Sequence, residues 1–203
     1  LQELNASKDK FFSIISHDLR SAFGVLFGFT ELLTTRIDVY SKDKLKDLVA
    51  KLNTSVERMY ALLENLLTWS RIQRGAMKCE PAIIDLFDVA QENMVIFLPK
   101  AEHKDIALSS VIQKDTKVYA DYSMVNTIMR NLISNALKFT NAGGSITISA
   151  AVRDQHVEVA VSDTGCGIPK EGLAKLFRID TTYSGVGTAG EQGTGLGLIL
   201  CEE

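Results

Sequence analysis

The chain has 203 residues, 46% of them hydrophobic, and a net charge of −3 with acidic and basic side chains interspersed. That length makes one or two domains of roughly 100 to 150 residues each, and the composition is ample for buried cores. It excludes the basic face that binding to a phosphate backbone demands, and nucleic acid with it.

Through residue 72 the apolar period is helical. Leu4, Phe11, Ile15, Leu19, Ala22, Leu26, Phe29 and Leu33 stand three or four apart, and a polar break follows from Thr34 to Asp43. Leu45, Leu48, Leu52, Ser55, Met59, Leu62, Leu66 and Trp69 then resume the same spacing. This predicts a helical hairpin. Two helices bury one apolar stripe each, so a second copy is the natural way to close a four-helix bundle, and a homodimer is expected. Gly75 and Pro81 in "SRIQRGAMKCEPAI" break the period, which divides the chain into an all-α hairpin over residues 1–74 and an α+β domain over 75–203.

In the second domain a helix is expected from Asp85 to about Ala101, strands at Ile106–Ile112 and Lys117–Ala120, and a strong helix at Tyr122–Phe139. "NAGG" then turns the chain into strands at Ser145–Val152 and His156–Ser162. Residues 163–197 hold nine glycines and read as a mobile loop before a last helix. Cys79, Cys166 and Cys201 are too few and scattered for a disulfide framework or a zinc site, and are expected as unpaired, buried thiols in a reducing compartment. No apolar run approaches the ~18 residues of a membrane span, and nothing resembles a signal peptide. A cytoplasmic location without membrane contact from this stretch is expected. The chain starts at Leu1, in mid-pattern and without an initiator Met, as a piece of a longer protein does.

Three motifs carry chemistry. "NLISNALKF" sets Asn131 and Asn135 at i and i+4 with Lys138 three further on, nearly on one helix face. A carboxamide oxygen is a hard ligand suited to Mg²⁺ and an ammonium meets phosphate as a point charge, although such a helix standing alone also reads as a solvated polar face. "VEVAVSDTGCGIP" runs a strand into Asp163, Gly165 and Gly167, where glycines let backbone approach a ligand and a buried carboxylate can accept a hydrogen bond from an exocyclic amine. "GEQGTGLGLIL" places Gly193, Gly195 and Gly197 at a helix start that attracts phosphate. A glycine-rich turn alone is weak; the ordered trio is stronger.

With these boxes in order, the chain resembles a sensor histidine kinase of a two-component system. "FFSIISHDLR" is similar to the phosphoacceptor box, "NLISNALKFT" to the asparagine box, "DTGCGIP" to the first glycine box, "LFRID" to the phenylalanine box and "GTGLGL" to the last glycine box. The resemblance spans essentially the whole chain. It implies a dimerisation and phosphotransfer hairpin followed by an α/β sandwich of the Bergerat ATPase type. It makes His17 the nucleophile that attacks the γ-phosphate of ATP, and Asp18 the base that holds or accepts the other ring proton. It assigns Asp163 to the adenine amine, Asn135 to Mg²⁺, Asn131 to Mg²⁺ or to a water beside it, and Lys138 to phosphate. Gly165, Gly167, Gly193, Thr194, Gly195, Leu196 and Gly197 would line the nucleotide, and Phe177 to Gln192 would form the ATP lid. Arg178 reads as a further phosphate contact or as a surface arginine, and His103 and His156 keep a structural role. The onward acceptor implied is an aspartate on a response-regulator receiver domain.

The sequence departs from the family pattern in two places. Ala22 stands where the family commonly has a proline five residues after the histidine, so the helix bend it causes is not expected here. Gly24 and Gly28 soften the following turns instead. Ser21 occupies the position that often orients a dephosphorylating water, implying a phosphatase function as well. Secondly, "LILCEE" stops where relatives continue through further strands, so the sandwich is expected to be incomplete at its C-terminus. Two rival readings are a catalytically impaired dimeric signalling scaffold and a Bergerat ATPase that uses nucleotide for clamp closure. The latter class typically has a glutamate where Asn131 stands.

Overall fold

The computed structural model describes residues 2–178, 185–191 and 195–203; the side chains of residues 2–14, 17, 18 and 58 lie outside that description. The chain divides into two compact units, Leu1–Ala76 and Met77–Glu203.

The first unit is a helical hairpin, α1 (Gln2–Arg36) and α2 (Lys42–Gln73). Ser41 caps α2, its hydroxyl accepting from Lys44 N at 3.3 Å, and Asp43 complements the helix dipole in the first turn. The buried positions of α2 are Leu48, Ser55, Leu62 and Trp69, seven residues apart. Leu45, Leu52, Met59 and Leu66 form the half-buried companion row. That is a heptad seam, and α1 answers it with Ile15, Leu19, Ala22, Leu26, Phe29 and Leu33 at alternating steps of four and three. The hairpin therefore follows the predicted apolar period. α2 ends in a Schellman turn: Gly75, at φ +60, donates to Ile72 O and Ala76 N donates to Arg71 O.

The second unit begins with β1 (Ala82–Asp85), followed by α3 (Leu86–His103), β2 (Ala107–Ser110), β3 (Lys117–Ala120), α4 (Tyr122–Phe139), β4 (Ser145–Arg153) and β5 (His156–Asp163). A single helical turn, α5 (Lys170–Leu173), precedes the final α6 (Gly197–Glu202). β2, β4 and β5 form a three-stranded sheet in that order, with β2 parallel and β5 antiparallel to the central β4. β1 and β3 pair separately as an antiparallel ribbon, Ala82 opposite Ala120. Between helices and sheet lies a core of Val89, Ala90, Ile133, Ile146 and Ile148, all 0–1% exposed. The result is the expected α/β sandwich.

Several details depart from the sequence reading. β1 was not anticipated, the predicted strand Ile106–Ile112 shortens to Ala107–Ser110, and the glycine-rich stretch contains α5. The three cysteines are free, as expected, but Cys79 and Cys166 are exposed and only Cys201 is half-buried. Among the described residues no helix is long and apolar enough to cross a membrane.

Candidate functional site

The site is organised by α4. Asp121 caps it, with Oδ1 accepting from Met124 N at 3.1 Å and Oδ2 accepting from Glu80 N at 2.8 Å, so the helix start is tied to the segment entering the unit. These backbone N–H bonds, that of Glu80 foremost, hold the Asp121 carboxyl below its ordinary value. Met129, Ile133, Ala136 and Leu137 are buried in the core. Asn131, Asn135 and Lys138 are left half-buried on an adjoining face.

Two other segments meet this helix. The loop after β5 lies on its C-terminal end: Cys166 N donates to Phe139 O at 3.2 Å, and a Cβ on Gly165 would come within 2.5 Å of the same oxygen. Only glycine fits there. Gly165 N also donates to Asp163 Oδ1 at 2.8 Å, which orients the carboxylate, and Gly167 takes the left-handed conformation at φ +66. Asp163, read from sequence as a buried carboxylate, is exposed, because it ends an edge strand where β5 pairs only with β4. From the other side, the first residue of α6 approaches Asn131, and a Cβ on Gly197 would lie 2.8 Å from its Oδ1. The Asn131 side chain is also hydrogen-bonded to Cys201, whose thiol is pushed up by burial and drawn back by that bond. Gly195 is left-handed at φ +68 and Leu196 is 1% exposed.

Lys138 Nζ donates to Gly185 O at 2.8 Å and lies 4.5 Å from the centre of the Phe139 ring. Arg178 is exposed after α5, and Ser21 is exposed on α1. His17 and Asp18 are consecutive residues of α1, with side chains outside the described ones. Gly193, Thr194 and, of the expected lid, residues 179–184 and Gln192 lie outside the described residues. Thus Asn131, Asn135, Lys138, Asp163, Gly165, Gly167, Gly195, Leu196 and Gly197 belong to one unit, while His17, Asp18 and Ser21 belong to the other.

Among the described residues no group of three or more His, Cys, Asp or Glu could hold a metal ion. The carboxamide oxygens of Asn131 and Asn135 are the hard donors on the motif face, a set that fits Mg²⁺ arriving with nucleotide phosphates rather than held in a carboxylate cage. Sequence reasoning missed Lys104, Thr188 and Glu191, which bind the 185–191 segment to the end of α4. The glutamate inside a glycine-rich stretch was the one available signal. A cavity of about 500 Å³ is lined by Pro99, Lys100, His103, Lys104, Ala189 and Glu191, and by none of the motif residues.

Comparison with known proteins agrees with this layout. Residues 7–75 match the family model described as His Kinase A (phospho-acceptor) domain, and residues 120–203 match that of the histidine kinase-, DNA gyrase B-, and HSP90-like ATPases. The chain belongs to the sensor histidine kinases of two-component systems. Among relatives, the non-motile and phage-resistance protein of Caulobacter vibrioides is 31% identical over 98% of this chain and 24% of its own length. Histidine protein kinase DivJ of the same organism is 30% identical over 98% of this chain and 33% of its own. The chain thus spans a quarter to a third of the length of these curated relatives. The solved structure of the Acinetobacter baumannii histidine kinase AdeS superposes with a TM-score of 0.70 at 25% identity, covering 91% of this chain and 83% of that one.

Proposed function

We propose that this chain is the catalytic core of a protein-histidine kinase, which transfers the γ-phosphoryl group of ATP to His17 and then to an aspartate of a response-regulator receiver domain. The observation that carries this reading is that α4, which bears Asn131, Asn135 and Lys138, is met by the Asp163–Gly167 loop at Phe139 and by Gly197 of α6 at Asn131, in a chain whose other unit holds His17 on a helical hairpin. Asp163, already oriented by Gly165 N, accepts a hydrogen bond from the adenine amine. Gly165 lets the loop close onto Phe139 O, Gly197 leaves room for the Asn131 carboxamide, and Lys138 contributes positive charge at the phosphates. A magnesium ion held by Asn135, with Asn131 as ligand or water-orienter, would neutralise phosphate charge when bound. Gly193, Thr194, Gly195, Leu196 and Arg178 complete the nucleotide-binding set.

On the hairpin, the free ring nitrogen of neutral His17 attacks phosphorus, the new N–P bond forms as the bond to the bridging oxygen breaks, and ADP leaves. Asp18 holds or accepts the proton on the other ring nitrogen. The phosphoramidate carries high transfer potential, which suits onward transfer to a carboxylate. Ser21 orients the water of a phosphatase reaction, in which hydrolysis releases inorganic phosphate. Because nucleophile and nucleotide belong to different units, transfer requires the ATP-binding unit to swing onto the hairpin about the joining residues 71–81 and then leave.

A homodimer is supported by a second apolar stripe on the hairpin. Val49, Val56, Tyr60, Leu63 and Leu67 on α2, with Phe23 and Phe27 on α1, are 44–71% exposed, a surface suited to a four-helix bundle. The use of ATP as phosphoryl donor supports a cytoplasmic location, as the cytosolic part of a membrane-anchored sensor.

Incubation with γ-labelled ATP and Mg²⁺ tests the reading. Retained label that is acid-labile, alkali-stable and absent from His17→Gln is expected. Nucleotide binding without label would transfer the chain to the signalling-scaffold class, and free phosphate without phosphohistidine to the clamp ATPases.

A further inference from the structure

The most tightly knit polar cluster among the described residues lies beside the motif face. Lys104, which caps the C-terminus of α3, is 16% exposed, and its ammonium donates to three acceptors: Leu137 O at 2.7 Å, Lys138 O at 3.1 Å and Glu191 Oε1 at 2.8 Å. All three ammonium hydrogens are thereby engaged. Two of the acceptors are carbonyls of the last turn of α4, which have no partners within their own helix, and a cation is favoured there. The third acceptor reaches across 87 residues of sequence to the glycine-rich segment.

That segment is folded tightly onto the same turn. Glu191 Oε2 accepts from Ala189 N and Glu191 O accepts from Gly187 N. Thr188 N donates to Lys138 O at 3.0 Å, and Thr188 Oγ1 donates to Thr140 O at 2.8 Å. Gly187 is buried, and a Cβ there would collide with Glu191 Oε2 and with Lys138 Cγ. At the near end, Gly185 O receives Lys138 Nζ. Lys138 is thus held at its backbone by Lys104 and Thr188 and at its ammonium by Gly185, and the Lys104–Glu191 ion pair fastens the whole arrangement.

The geometry points to Lys104 and Glu191 as positioning residues for the nucleotide: their ion pair clamps residues 185–191 against the last turn of α4 and so fixes Lys138 where the phosphates bind. Neither residue touches the phosphates in this role. Without the clamp, the chain spends part of its time with Lys138 misplaced, and apparent affinity falls in proportion to the fraction still competent. The inference rests on the histidine-kinase reading above.

The test uses the full chain and begins with the unsubstituted protein, ADP binding by calorimetry and labelling from γ-labelled ATP being measured first. Lys104→Met and Glu191→Gln are then compared for KM(ATP), the maximal labelling rate and thermal stability. Loss of one charge-assisted contact is expected to raise KM about tenfold with the maximal rate changed less than twofold. Lys104→Arg should retain most of the affinity, and the double variant should be no worse than Lys104→Met, because the pair acts as a unit. Glu191→Gln, which keeps size and leaves Lys104 on the helix carbonyls, decides the matter where Lys104→Met does not fold. An unchanged KM in folded variants overturns the clamp, as does a loss of stability and rate at constant KM. An unsubstituted chain that neither binds ADP nor takes up label overturns the kinase reading and the clamp with it.

Discussion

Replacing Gly165 with alanine tests how closely the loop after β5 is drawn onto α4. The new Cβ would stand 2.5 Å from Phe139 O, 2.6 Å from Asp163 Oδ1 and 2.9 Å from the Phe139 carbonyl carbon. Contact distances of about 3.5 Å are needed for such pairs, so the loop must retreat by roughly 0.5–1 Å. Two of the three obstructing atoms are backbone and cannot rotate away, and the third belongs to the carboxylate that Gly165 N orients. Overpacking of this kind costs about 1–3 kcal/mol, which in a unit of this size lowers Tm by about 3–15 °C. The same retreat displaces Asp163, and a loss of about 1.4 kcal/mol in the bond proposed for it to the adenine amine is a tenfold loss of affinity. Thermal unfolding and calorimetric titration with ADP on the full-length variant read both effects. Gly167 supplies the contrast, since a Cβ there meets nothing within 4 Å but φ is +66. Its alanine carries only the left-handed penalty of about 1–2 kcal/mol, and asparagine, which visits that region, recovers part of it. Asparagine at 165 recovers nothing. Wild-type Tm and affinity for Gly165→Ala, or equal rescue by asparagine at both positions, would refute the crowding described.

Truncation of Ile133, fully buried on α4, to alanine should cost about 2–5 kcal/mol in urea unfolding; a loss below about 1 kcal/mol would contradict its place at the centre of the core. Gly24 and Gly28 have nothing within 4 Å of a built Cβ, so alanine at each should stabilise α1 by about 0.8–1.0 kcal/mol by thermal circular dichroism. A drop in Tm instead would place another surface against these glycines. Ala22→Pro should bend α1 beyond His17 and alter the balance of kinase and phosphatase rates, and both rates unchanged would count against a role for this position. Asp121 titrates below its ordinary 3.8 in the folded chain. Its contribution is therefore present above the unfolded pKa and lost as pH falls through the folded one. Asp121→Asn should flatten the acid side of a Tm profile taken from about pH 6 to about pH 2, and an unaltered slope would show that its capping bonds do not carry this dependence.

α4 and β3 were legible to the residue because both have strong local signals: four buried positions at helical spacing behind an Asp cap, and alternation in "KVYA". β1 was not, since four residues after Pro81 carry too little periodicity and their partner strand lies far along the chain. The overlong reading of β2 has a physical basis in Val111 N, which still donates to Ile148 O beyond the strand proper. In the site, the asparagine and glycine motifs named the residues of α4, the β5 loop and α6, whereas exposure of Asp163 depended on which strand lies at the sheet edge. Lys104 carried no mark, because a charged residue at a helix end usually faces water; Glu191 stood out only as an acid in a glycine-rich stretch, and only the folded chain brings the two together.

The pairing of β4 with β5 bears on the order in which the second unit takes shape. Arg153 lies opposite His156, so this pairing closes across two residues at minimal loop entropy, while Ala82 must wait for Ala120 and Ala107 for Ser145. The hairpin is thus the natural nucleus, onto which α4 condenses before the ribbon and the parallel strand are secured. α6 reaches its place beside Asn131 only after the elements that precede it have been synthesised. A ribosome-bound intermediate that ends before α6 therefore has a sheet and a core but lacks Gly197 beside Asn131, so ATP bound at the proposed site can reward only a chain that has grown through α6.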